Sequence, residues 1–193
     1  MRAHLTPHQY ELAHFQLRIA EQWFERGEKT RDVFAKFFFF YTAFNALFFL
    51  WKEVDEVGRG ESNEPRETKQ IENLLGRLGG ALWDELGATL GEPISFFAGR
   101  AIERMDKRGG TQPLRGKATE GRKHQRVLAD PRVDATEKLK ALGNILYLVR
   151  CNLAHGSKMV MGDDFDVIEN AVPLLQSFSS RAIQYTKGTF GGT

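Results

Sequence analysis

One cysteine in 193 residues, Cys151, leaves no partner for an intramolecular disulfide, which fits a reducing, cytoplasmic setting. The first residues, Met-Arg-Ala-His-Leu-Thr-Pro, lack the apolar core of a signal peptide. An excess of one charge is missing too: the formal net charge is +2, so the chain as a whole is no polybasic nucleic-acid binder. An uncharged run of membrane-spanning length is absent. The longest stretch without a formal charge, 37–51, has fifteen residues and includes Thr42 and Asn45, against about 20 for a membrane span. It predicts a helix buried on most sides, and no membrane. Familiar catalytic patterns are also lacking: no Gly-rich loop ending in Lys-Ser/Thr, no His-Glu-x-x-His, no cysteine pair and no Gly-x-Ser-x-Gly. No metal and no cofactor are expected.

What is present is helical patterning. Thr6-Pro7 reads as an N-cap followed by proline at the first helical position. Tyr10, Ala13, Leu17, Ala20 and Phe24 then form a stripe that Gly27 ends, with His14 at its border, partly buried. A second helix over about 30–56 is apolar around most of its circumference and belongs in a centre or an interface. Asn45, in its middle, is either a polar pin for helix register or part of a site. Ile71, Leu74, Leu75 and Leu78 make a third helix from Pro65, closed by Gly79-Gly80; a short one follows over 81–90. Pro93 opens another through Phe96, Phe97, Ile102 and Met105. The last helix, from Asp163 or Asp164, should kink or restart at Pro173, and 189–193 is a tail. The expected class is all-α: one domain over 1–193, an antiparallel bundle of four core helices with short extra helices and a long basic loop.

That loop is the main charge asymmetry. Residues 100–132 hold ten basic and four acidic side chains, a net +6, leaving −4 elsewhere. Gly109-Gly110, Pro113, Gly116, Gly121 and Pro131 interrupt the run, so 107–133 reads as a flexible loop. It is either a solvated insertion, with His124 one solvated member, or a phosphate-contacting arm using Arg122, Lys123 and Arg126, with Lys158 further on.

Ala135, Leu139, Leu142, Leu146, Val149 and Leu153 recur at steps of four and three, one narrow face of a helix. This stripe runs into Leu146-Tyr-Leu-Val-Arg-Cys-Asn-Leu-Ala-His-Gly156, where Gly156 is the residue expected past a helix end. Arg150, Asn152 and His155 fall off the stripe, and Asn152 and His155 are helix-surface neighbours. Arg-x-x-x-x-His alone is weak, given sixteen Arg and five His. The wording around it resembles the signature of the HEPN superfamily (higher eukaryotes and prokaryotes nucleotide-binding domain), usually Arg-Asn-x-Leu-x-His-Gly late in a helical bundle. Ala43-Phe44-Asn45-Ala46-Leu47-Phe48 is a second likeness. The position after the Arg is usually polar in that family; here it is Cys151, with Asn152 to stand in.

The resemblance implies a metal-independent endoribonuclease, with Arg150, Asn152 and His155 catalytic and Asn45 and Cys151 supporting. It implies RNA as partner, and a homodimer in which two motifs share a cleft. A toxin or antiviral effector with an antitoxin or regulatory partner is one such role. Its chemistry suits the residues: RNA supplies its own 2′-hydroxyl nucleophile, an imidazole can move the proton, and a guanidinium can hold phosphoryl oxygens. Family regulation by nucleotide transfer to a tyrosine two residues past the His is not expected, since Ser157 stands there. Two other readings stay open. One is a non-catalytic module binding RNA, a nucleotide or a protein; the other is a scaffold in which Arg150 pairs with Glu137 or Asp163. A Cys151–His155 thiol–imidazole pair has no oxyanion site to serve it, and a lone cysteine on a packed helix usually acts as a small hydrophobe.

Overall fold

A computed structural model describes residues 6–56, 67–103, 120–154 and 163–190. Among them the fold is all-α, an assembly of packed helices without strands: α1 Pro7–Lys29, α2 Val33–Glu56, α3 Glu67–Thr89, α4 Gly91–Gly99, α5 Glu120–Ala129, α6 Ala135–Ala154 and α7 Asp163–Phe190. Contacts divide the chain into two compact units, one of residues 1–74 and 175–193, the other of 75–174. Each unit is built from helices that bury an apolar side no single helix could cover.

The first unit is an aromatic core assembled on α2. Thr6 caps α1 through a reciprocal box: its hydroxyl accepts from the Gln9 amide, and the Gln9 side chain accepts from the Thr6 amide. Three residues separate α1 from α2, so the two helices return alongside each other. Gly27 is needed at their contact, because a Cβ there would stand 2.5 Å from the Phe40 ring. Phe37, Phe40, Phe44, Phe48 and Leu47 are essentially inaccessible. The last turns of α7 pack on them, with Phe178 5.8 Å from Phe44 and Phe190 5.2 Å from Trp51, centroid to centroid. Residues 189–190 are therefore not a tail: Phe190 is buried and closes this core. Three polar links have buried or half-buried partners. Ser179 Oγ donates to the Phe40 carbonyl at 2.8 Å, Trp51 Nε1 to Thr186 Oγ1 at 3.2 Å, and the Tyr41 hydroxyl to Glu67 Oε1 at 2.8 Å. His14, expected at the edge of the core, is exposed.

The second unit holds the rest of α3, then α4, α5, α6 and the start of α7. The break expected at Gly79-Gly80 is present as a kink in α3, with Gly79 at φ 72°, a conformation that favours glycine. α4 ends at Gly99, and Ile102 is buried from a non-helical segment rather than from a continued helix. Met105 lies outside the described residues. α7 does not restart at Pro173 but runs through it. A mid-helix proline costs ~3 kcal/mol, and full burial of one Val or Leu returns ~1.5–3 kcal/mol. Val172 and Leu174, both buried, suffice to offset it. α6 is buried on nearly every side from Ala141 to Asn152, more than the narrow stripe in its sequence implies, because α5 and α4 cover further faces.

Candidate functional site

The expected loop over 107–133 is in part a helix. Residues 107–119 lie outside the described residues, but α5 occupies Glu120–Ala129. Gly121, Leu128 and the half-buried His124 and Gln125 face inward, while Arg122, Lys123 and Arg126 are exposed. The spacing 121, 124, 125, 128 is one helical face. It was hidden in the sequence because a glycine, a histidine and a glutamine fill three of its four positions. Gly121 has a specific task, since a Cβ there would stand 1.8 Å from the Ile102 carbonyl oxygen. The backbone of α5 thus touches the backbone of the segment before it. Gln125 Nε2 donates to the Ala98 carbonyl at 3.0 Å, tying α5 to the last turn of α4.

α6 starts from a built turn. Asp134 Oδ1 accepts from the amides of Thr136 and Glu137 at 2.9 and 3.0 Å, satisfying donors at the helix start. Just before it, Arg132 makes a two-pronged contact with Asp130, Nε to Oδ1 at 3.0 Å and its terminal nitrogen to Oδ2 at 2.8 Å. The guanidinium holds the Asp130 carboxyl below its ordinary range.

At the other end of α6, the structure describes two of the three catalytic candidates, Asn152 and Arg150. Asn152 is buried, and its Nδ2 donates to the Glu103 carbonyl at 2.8 Å. The Glu103 side chain in turn accepts from Arg122 Nε at 3.1 Å. One residue outside any helix, Glu103, so joins the last turn of α6 to the first turn of α5. Arg150 is half-buried and engaged in an interaction of its own. Pairing with Glu137 within α6 is out of reach: thirteen residues of helix put them about 20 Å apart, and Glu137 pairs with Lys140 at 2.6 Å instead. Cys151 is buried as a free thiol, in keeping with a packing role. His155 and Lys158 lie outside the described residues, as does Ser157. Asn45 belongs to the first unit, half-buried on α2.

The second unit therefore presents Arg150 near the C-terminal end of α6 and a row of exposed cations on α5, linked through Glu103 and Asn152. Helix C-terminal carbonyls favour positive groups near them. Among the described residues, no three His, Cys, Asp or Glu side chains gather as metal ligands. Glu103 and Gly121 carry this geometry, yet neither stands out in the sequence, since Glu103 uses its backbone carbonyl toward Asn152 and Gly121 faces the Ile102 carbonyl. No family model, no curated protein and no solved structure matches the chain.

Proposed function

We propose that this chain is a cytoplasmic, metal-independent endoribonuclease of the HEPN type. The observation that carries the reading is Arg150, set in the last turns of α6 five residues before His155, in the unit that displays Arg122, Lys123 and Arg126 on α5. Those exposed cations suit the backbone of a nucleic acid, which contributes affinity without sequence preference. Asn152 is then a positioning residue, because its amide is engaged with the Glu103 carbonyl.

In this scheme an imidazole removes the 2′-hydroxyl proton, and the 2′-oxygen attacks the adjacent phosphorus. The P–O5′ bond breaks, a proton passes to the departing 5′-oxygen, and the products are a 2′,3′-cyclic phosphate and a 5′-hydroxyl. Arg150 stabilises the charge on the phosphoryl oxygens, a contribution of about 10²–10³ in rate for one good donor. General acid–base transfer adds typically 10²–10⁴. One histidine is short-handed for both proton steps, and a second copy of the chain would supply the other.

The test is cleavage of RNA in EDTA by the wild type and by His155→Ala and Arg150→Ala. Cyclic-phosphate products from the wild type alone support the reading. An inert wild type, or a His155→Ala variant that cuts equally well, sinks it. A second reading, a non-catalytic HEPN module that binds RNA, a nucleotide or a protein regulator, is favoured by the burial of Cys151 and Asn152. That burial withdraws Cys151 and Asn152 from direct contact with a ligand. Tight RNA retention without products distinguishes it.

A further inference from the structure

Among the described residues, most of the large apolar side chains that stay exposed lie on one side of the α1–α2 pair. Phe15 is 53 % exposed, Phe38 39 % and Phe49 42 %. On α2 the outward row is Phe38, Thr42, Asn45 and Phe49, at steps of four, three and four, so it reads the same from either end. Alongside it α1 contributes Phe15, Ile19 and Trp23, each four residues from the next, and Trp23 stacks on Phe39 at 5.5 Å. Arg26 lies over the Trp23 ring at 5.0 Å at the rim, and the buried Lys52 lies over Phe49 at 5.3 Å.

We propose that this face docks a second copy of the chain, α2 against α2, antiparallel, about a two-fold axis passing between the levels of Thr42 and Asn45. A two-fold contact must be self-complementary, residue i on j and j on i. The palindromic row meets that demand. With the axis at its midpoint, Phe38 of each copy falls opposite Phe49 of the other, and Thr42 falls opposite Asn45. The Thr42 hydroxyl donates to its own Phe38 carbonyl at 2.7 Å, which leaves its lone pairs to accept from the Asn45 amide across the axis. Two such bonds would satisfy the polar waist of an otherwise aromatic face.

Size points the same way. Taking ~200 Å² for a phenylalanine, the three exposed rings and their half-buried neighbours present roughly 500 Å², against ~800 Å² per partner in a standard interface. That is an interface centre, needing only a polar rim around it. A lipid surface is the poorer occupant. α2 is long and apolar enough to cross a membrane by length and composition, but the Asn45 amide at the middle of the face would enter hydrocarbon with its hydrogen-bonding capacity unmet. This pairing does not rest on the ribonuclease reading, since the chain can pair whether or not it cuts RNA.

The experiment is molar mass in solution, by light scattering and sedimentation, for the full chain at micromolar concentration. The wild type is expected at twice the chain mass. Phe38→Glu and Phe49→Lys should each weaken the dimer at least about tenfold, as loss of a buried aromatic anchor does, with helical content retained. The double variant Phe38→Glu/Phe49→Lys should recover the dimer. The introduced charges are about 16 Å apart within one helix and can meet only across the axis. A monomeric wild type, single variants that pair as well as the wild type, or a double variant that stays monomeric would each overturn the proposal. So would a wild type that remains monomeric and floats with phosphatidylcholine vesicles.

Discussion

Asn152 Nδ2 lies 2.8 Å from the carbonyl oxygen of Glu103, joining α6 to a non-helical segment 49 residues earlier. The asparagine is buried, so its amide has no water to fall back on. The bond holds the Glu103 backbone against the end of α6 that carries Arg150.

Asn152→Ala should therefore destabilise the protein by about 1–3 kcal/mol, the usual range when a buried polar partner is left unsatisfied. Equilibrium denaturant unfolding measures it. An effect within about 0.5 kcal/mol, the range of neutral surface substitutions, would mean that the bond contributes little.

Gly121→Ala should be worse tolerated than its chemistry suggests, because the new carbon would stand 1.8 Å from the Ile102 carbonyl oxygen, a group that cannot swing aside. Gly87, on α3, has nothing within 4 Å of the equivalent position. There alanine should stabilise by about 0.5–1 kcal/mol, the helix-interior difference between the two residues. Thermal unfolding of the two variants should move in opposite directions.

If RNA is the ligand, replacing Arg122, Lys123 and Arg126 together by alanine should weaken binding evenly across sequences. It should also lower the salt dependence of log K by about 2, taking ~0.7 per single-strand phosphate contact. All three are exposed, so helical content should not change. Fluorescence anisotropy over a salt series reads both quantities.

Acid should loosen the turn between α5 and α6. The Arg132 contacts depress the Asp130 pKa in the folded state. The pair's stabilisation is then present above the unfolded carboxylate pKa and is lost as pH falls through the lower, folded one. Arg132→Ala should bring the Asp130 titration back toward its ordinary range, as followed by carboxyl NMR. An unchanged titration would show that the contact is not maintained in solution.

Much of the architecture was legible along the chain. The Thr6-Pro7 start, the break at Gly79-Gly80 and the long apolar run of α2 are local signals: a cap, a left-handed backbone position and an apolar excess act within a few residues of themselves. α5 was not legible, because its inward face uses Gly121, His124 and Gln125. Each suits that position only through a backbone group elsewhere or through partial burial. Phe190 looked like part of a tail until Trp51 and Tyr10 were seen beside it. Pro173 looked like a break, but the burial of its neighbours offsets one missing helix bond.

The order of residues by itself determined that this chain is helical, where most helices begin, and that Arg150 and Asn152 fall near one helix end. Only tertiary structure decided that Asn152 is turned to a backbone carbonyl while Arg122, Lys123 and Arg126 remain at the surface. Helix periodicity comes from bonds between residues four apart. Burial and exposure depend on which distant segments come to lie against each face, and no short stretch of sequence carries that information.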